Sequence, residues 1–229
     1  MSVTKGLVIG AGQMGAGIAQ VLAVAGVSVT LFDENKAQLD KAIKGINASL
    51  HKLLEKDKIS STLMEESLSR IKTISSINES LDDDLVIEAI VENLEVKKNL
   101  FKSLAPKIKK GAIIATNTSS LSITSIASSC PEPDRVIGMH FMNPVPLMTL
   151  VEIIRGLQTS DETYLTIVEL TKRLNKTPIS AVKDYPGFIV NRILVPMINE
   201  AFYVLMEGIA SPEDIDEAMK LGTNQPMGP

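Results

Sequence analysis

The segment Gly10-Ala11-Gly12-Gln13-Met14-Gly15 constrains this chain more than any other, because of what flanks it. Gly6-Leu7-Val8-Ile9 reads as a short buried strand, Gly15 to Ala25 as a small-residue helix ending at Gly26, and Val27 to Phe32 as a second strand. Within such a βαβ unit, Gly10 permits the tight turn, Gly12 lets a diphosphate approach the backbone, and Gly15 lets helix and strand pack closely. The amides at the helix start attract phosphate. Asp33, closing the second strand, can accept hydrogen bonds from ribose hydroxyls and repels a 2′-phosphate. The pattern therefore points to NAD, with NADP open if another segment offers a cation; glycines of an ordinary turn are the plainer alternative.

The segment from Asn35 to about Lys58 has helical spacing, with Leu39, Ile43, Ile46, Leu50, Leu53 and Leu54 near one face, and a shorter helix spans Leu63 to Ile71. This is too long for an ordinary crossover and is expected to stand as a helical arm. An α/β rhythm then resumes, with strands expected at Ile71 to Ile74, Leu85 to Ala89, Ala112 to Thr116, Arg135 to Met139 and Leu150 to Ile154. Helices are expected at Val96 to Leu104, Ser122 to Ser128 and Asp161 to Leu174; the run Thr177 to Val182 follows. Beyond Asp184-Tyr185-Pro186-Gly187 the chain reads as purely helical, over Phe188 to Glu207 and Pro212 to Leu221. The expected fold is thus α/β. Residues 1–183 form a Rossmann-like, doubly wound, mostly parallel sheet with a helical arm at about 35–70, and residues 184–229 begin an all-helical second domain. That second part is too short to bury a core unaided.

A net charge of -4 argues against a general nucleic-acid or membrane-surface binder. Leu7 to Thr30 is rich in small apolar residues, but its glycines, Gln13 and Gln20 fit strand-turn-helix-strand better than a signal peptide or membrane span. A single cysteine, Cys130, excludes an internal disulfide and fits a reducing cytoplasm. One cysteine and two distant histidines assemble no zinc site, so no metal is expected.

His140 follows the apolar run Arg135 to Met139 and opens Phe141-Met142-Asn143-Pro144. An imidazole at a strand end exchanges protons near neutral pH, and a chain reversal would bring the carboxylate of Glu152 to its ring. Taken alone, a structural histidine is the commoner case; position and partner favour a base with its orienter. His51, amid Lys52, Glu55 and Lys56, reads as part of a solvated face. Asn117-Thr118-Ser119-Ser120 follows a strand, where α/β sheets place ligand-binding loops; these hydroxyls either hold a substrate oxygen or cap the next helix.

The ordered motifs Val8 to Gly15, Glu88-Ala89-Ile90-Val91-Glu92-Asn93, Asn117 to Leu121, His140 to Pro146 and Asp184 to Arg192 resemble the NAD-dependent 3-hydroxyacyl-CoA dehydrogenase family, most closely its bacterial 3-hydroxybutyryl-CoA branch. The resemblance covers essentially the whole chain. It implies that His140 is the general base for the 3-hydroxyl proton, oriented by Glu152, and that Ser119 and Asn191 hold the reacting oxygen. By the same resemblance Gly10, Gly12, Gln13, Met14, Gly15, Asp33, Glu92, Lys97 and Asn143 contact the cofactor, and Ser49 and Lys56 contact coenzyme A. A purely solvated charged face remains the alternative for Lys52 and Lys58.

Family members continue past Met227-Gly228-Pro229 for several helices that complete the second domain, so this chain, truncated relative to them, is expected to be either a fragment of a longer protein or a natural short form, and to form a homodimer only with that domain complete. Butyrate and fatty acid metabolism in the cytoplasm is the setting the resemblance implies. Two competing readings remain at this stage: a related sugar-acid 3-dehydrogenase, and a catalytically weak NAD-binding or structural protein.

Overall fold

A computed structural model describes residues 2–77 and 81–229. Two compact units are distinguished, Met1–Tyr185 and Pro186–Pro229.

The first unit is built on one eight-stranded sheet in the order β3-β2-β1-β4-β5-β6-β7-β8. Its first half comprises β1 (Lys5–Ile9), α1 (Gln13–Val24), β2 (Ser28–Phe32), α2 (Lys36–Glu55), α3 (Ser61–Ser69) and β3 (Ile71–Ile74). The second half contains β4 (Leu85–Glu88), α4 (Leu94–Leu104), β5 (Ile113–Thr116), α5 (Ile123–Ala127), β6 (Val136–Phe141), β7 (Leu150–Arg155), α6 (Asp161–Arg173) and β8 (Thr177–Ala181). The central strands read as apolar runs because helices cover both faces: every residue of β4, β5 and β6 is buried. The run from Thr177 has resolved into a strand, β8, parallel to β7. Only β6 and β7 pair antiparallel among the described strands, with His140 directly opposite Glu152.

The arm segment does not project freely. Leu39, Ala42, Ile46 and Leu50 of α2 are buried in the main core with Ile18 and Leu22 of α1, while α3 adds Met64. Spacing at three and four residues gives α2 one apolar edge, and burying such side chains contributes about 1.5–3 kcal/mol each. The opposite face carries His51, Lys52 and Lys56, all exposed.

The second unit contains α7 (Val190–Met206) and α8 (Pro212–Thr223). Ser211 caps α8 by accepting from the Asp214 amide, and Asn224 ends it in the left-handed conformation.

Candidate active site

The sheet order sets out the site as a row. The carboxyl ends of β2, β1, β4, β5 and β6 stand side by side, and they carry in turn Asp33, the glycine turn, Glu88, the Asn117–Ser120 loop and His140. The strand order reverses on leaving β1, where the chain first builds outward through β2 and β3 and then resumes at β4; open α/β sheets form ligand crevices at that point.

At the first position the glycines divide into two kinds. A Cβ on Gly15 would stand 1.7 Å from the Gly10 carbonyl oxygen, so this glycine is needed by the fold itself. Around Gly12 nothing lies within 4 Å of an added Cβ, and its φ of -66° suits any residue. The openness at Gly12 is room for a ligand rather than for protein. Gly12 is also the N-cap of α1 and offers no side chain, whereas Asn35, Ser60, Asn93, Ser122, Ser160 and Ser211 each cap their helices. The first-turn amides of α1 are thus left to an external acceptor, which is the donor set a diphosphate fits. Asp33 locks the turn: Oδ2 accepts from the Ala11 amide at 2.9 Å and Oδ1 from the Asn35 amide at 2.9 Å. Carboxylate lone pairs beyond these two contacts can receive ribose hydroxyls. Gln13 is exposed on the turn, and Met14 is half-buried against the core.

At the far end, Nδ1 of His140 lies 2.7 Å from Oε2 of Glu152. Glu152 is wholly buried and His140 is 7% exposed. An ionised carboxylate only accepts, so the proton of this contact belongs on Nδ1, which fixes the tautomer and places the ring's basic lone pair on Nε2. Asn117 joins this end to the neighbouring loop, its Oδ1 accepting from the Phe141 amide at 2.9 Å. Asn143 is exposed just beyond, before a cis peptide to Pro144.

Between these ends lies a network. Lys97 is 1% exposed and donates to Glu88 Oε1 at 2.5 Å, with Glu92 Oε2 3.4 Å away. Glu92 Oε1 accepts from the Thr118 hydroxyl at 2.6 Å, the Ser119 amide at 2.8 Å and the Ser119 hydroxyl at 3.0 Å. Half-burial works to raise the Glu92 carboxyl, but these hydrogen bonds and Lys97 hold it below the usual carboxylate range. Glu88 joins the candidate residues only through this geometry. A signal existed: a glutamate ending an apolar strand, nine residues before a lysine in the first turn of a helix.

The Ser120–Ser122 segment resolves the capping question for one residue. Ser122 caps α5 and donates to Asp184 Oδ2 at 2.7 Å, while the Ile123 and Thr124 amides donate to the same carboxylate at 3.0 and 2.7 Å. Asp184, read from sequence as punctuation, is a second cap. Ser119 faces Glu92 instead.

A cavity of about 470 Å³ opens between α1, α2 and the loop after β6, lined among others by Gln13, Gly17, Lys41, Gly45, Ser49 and Asn143. Ser49 thus shares a cavity with residues of the glycine turn; Lys56 is exposed on the arm and does not line it. Asn191 belongs to the second unit, in the first turn of α7. Among the described residues no helix is long and apolar enough to cross a membrane.

Residues 6–185 match the family described as 3-hydroxyacyl-CoA dehydrogenase, NAD binding domain, and residues 187–229 match 3-hydroxyacyl-CoA dehydrogenase, C-terminal domain. A 3-hydroxybutyryl-CoA dehydrogenase of Clostridioides difficile is 50% identical over 97% of this chain and 79% of its own length. The mitochondrial hydroxyacyl-coenzyme A dehydrogenase of Homo sapiens is 50% identical over 97% of this chain and 72% of its own. The crystal structure of (S)-3-hydroxybutyryl-CoA dehydrogenase from Ralstonia eutropha superposes with a TM-score of 0.95 at 49% identity, covering 99% of this chain and 80% of that one.

Proposed function

The chain belongs to the 3-hydroxyacyl-CoA dehydrogenase family, and from that premise we propose how its residues share the work. The protein is an NAD-dependent oxidoreductase that interconverts 3-hydroxyacyl-CoA and 3-oxoacyl-CoA. The substrate pair we assign is the short-chain one, (3S)-3-hydroxybutyryl-CoA and acetoacetyl-CoA. Fatty acid metabolism fits this chemistry, butyrate metabolism more narrowly, and we place it in the cytoplasm, where the buried Cys130 thiol stays reduced.

Bound NAD supplies the acceptor for the hydride that leaves C3, and NADH its donor in the reverse direction. The chain's own residues handle the proton and the positions. His140 Nε2 takes the 3-hydroxyl proton as the carbonyl forms, and returns it to the oxygen in reduction. Glu152 keeps the ring oriented and offsets the positive charge that the ring then carries. We assign Ser119 and Asn191 to the reacting oxygen. Gly10, Gly12, Gln13, Met14 and Gly15 form the diphosphate turn, Asp33 receives the ribose, and Glu92, Lys97 and Asn143 serve the other half of the cofactor. Ser49 and Lys56 are assigned to coenzyme A, the first through the cavity it lines and the second as a cation on the arm. In domain terms we take residues 1–183 as the cofactor part with its arm at about 35–70, and residues 184–229 as helical. We propose a homodimer where the helical domain is complete, for which Ile193, Val195, Phe202 and Met206, exposed on α7, offer apolar surface.

The observation that carries the reading is the His140–Glu152 pair standing in the same row of strand ends as the glycine turn. NADH oxidation is to be followed with acetoacetyl-CoA, free acetoacetate and sugar acids, beside NADH binding. Turnover with the CoA ester alone is expected. Equal turnover with the free acids, or binding without turnover, overturns it.

A further inference from the structure

The ends of β4 and β5 hold a cluster of charge that proton transfer does not use. Glu88 is wholly buried and accepts from the Ile90 amide at 2.7 Å, from Lys97 at 2.5 Å and from the Thr116 hydroxyl at 2.7 Å. The Thr118 amide donates to Thr116 Oγ1, so the Thr116 proton is directed at Glu88. In the same way the Leu121 amide donates to Thr118 Oγ1 at 3.0 Å, which turns the Thr118 proton toward Glu92. Both carboxylates therefore meet donors only, as ionised groups do.

Among the described residues one ammonium, that of Lys97, faces two carboxylates, and a negative charge is left over. Lys98 and Glu95, on the first turns of α4, form a neutral pair at 3.8 Å and change nothing in that count. The amino end of α4, capped by Asn93, contributes about half a positive charge and offsets only part of the excess. Buried or half-buried excess charge is costly unless something positive meets it. Its exposed member is Glu92, whose side chain is 37% accessible. A dinucleotide reaching from Asp33 past the glycine turn to His140 crosses the ends of β4 and β5, because those strands lie between them.

We propose that the uncompensated charge shared by Glu88, Lys97 and Glu92 selects the oxidation state of the cofactor, favouring the cationic nicotinamide of NAD+ over the neutral ring of NADH. Glu92, and Glu88 through its hold on Lys97, are then determinants of redox-state preference and not only of cofactor binding. The inference rests on the dehydrogenase reading above. Since enzyme and solution share one overall equilibrium, tighter holding of NAD+ moves the equilibrium on the protein toward the hydroxyacyl ester.

The test is the ratio of the dissociation constants of NADH and NAD+, measured by calorimetry and by NADH fluorescence on the full chain at low ionic strength. Glu92→Gln removes one charge and is expected to lower the ratio about tenfold, the scale of one unit charge about 12 Å away at an effective permittivity near 20. Glu92→Asp keeps the charge and is expected to keep the ratio. Asn93→Asp adds a negative charge while preserving the cap, and is expected to raise the ratio. Loss of a merely structural contact would weaken both forms alike. An unchanged ratio in Glu92→Gln, or a shift of the same sign in Asn93→Asp, overturns the inference. Failure of the unaltered chain to bind either form would instead overturn the dehydrogenase reading itself.

Discussion

His140 and Glu152 face each other across an antiparallel ladder, with 2.7 Å between Nδ1 and Oε2. The pairing is a property of sheet register: a slip of one residue in β7 would turn Glu152 to the other face. His140→Gln should lower kcat about 10²–10⁴-fold while the dissociation constant of NADH stays close to its original value. Steady-state kinetics beside a fluorescence titration checks both halves, and unchanged turnover sinks the assignment.

Glu152→Gln preserves shape but exchanges an acceptor for an amide, so the Nδ1 contact loses its charge. Much of the His140→Gln loss is expected, and the double variant should be little worse than either single one, because groups acting as a unit are non-additive. Independent, multiplying losses would mean that Glu152 does not act through His140.

The two kinds of glycine in the turn separate folding from binding. Gly15→Ala places a Cβ 1.7 Å from the Gly10 carbonyl and is expected to cost about 1–3 kcal/mol or more in a denaturant melt. Gly12→Ala meets no protein atom within 4 Å, so its melt should match the unaltered chain. Its NAD affinity should nevertheless fall severalfold or more, seen by calorimetry. Equal affinity would show that the diphosphate does not approach there.

Asp84 provides a pH test at the amino-terminal end of the sheet's central strands, just before β4. Burial works to raise its carboxyl, yet hydrogen bonds from the Thr4 amide and hydroxyl, the Lys5 amide and Lys109 hold it well below the usual carboxylate range. A folded-state value below the unfolded one, about 3.9, gives stability that is present above that pH and lost as pH falls toward the folded value. Asp84→Asn should therefore destabilise the protein at pH 7 by about 1–3 kcal/mol. The gap between variant and original should close below about pH 4 in urea melts; a constant gap refutes the argument.

Local pattern made much of this molecule legible. The turn from Gly10 to Gly15, bracketed by apolar strands and followed by Asp33, announced the sheet's centre, and the β6–β7 reversal was readable from His140, Asn143-Pro144 and Glu152. What stayed hidden depended on distance along the chain. The Asp184 carboxylate reaches the start of α5 some 60 residues away in sequence, and no periodicity encodes such a meeting. The attitude of α2 is not encoded locally, because an amphipathic helix shows which edge is apolar, but not whether it lies on its own α1 or on something else. Lys97 matched a cofactor position by resemblance, while its geometry adds an ion pair with Glu88 that resemblance did not carry.

The antiparallel pairing of β6 with β7 has a further consequence. His140 and Glu152 are seated on adjacent, hydrogen-bonded strands, whereas the cavity wall at Ser49 belongs to a separate helix, held by packing against α1 and by the Gln38 amide donating to the Ala11 carbonyl. On the roles proposed for His140 and Ser49, proton transfer and contact with the acyl carrier are borne by parts that can vary independently. Remodelling the exposed edge of α2 should yield enzymes with new clientele and an unaltered way of moving the proton.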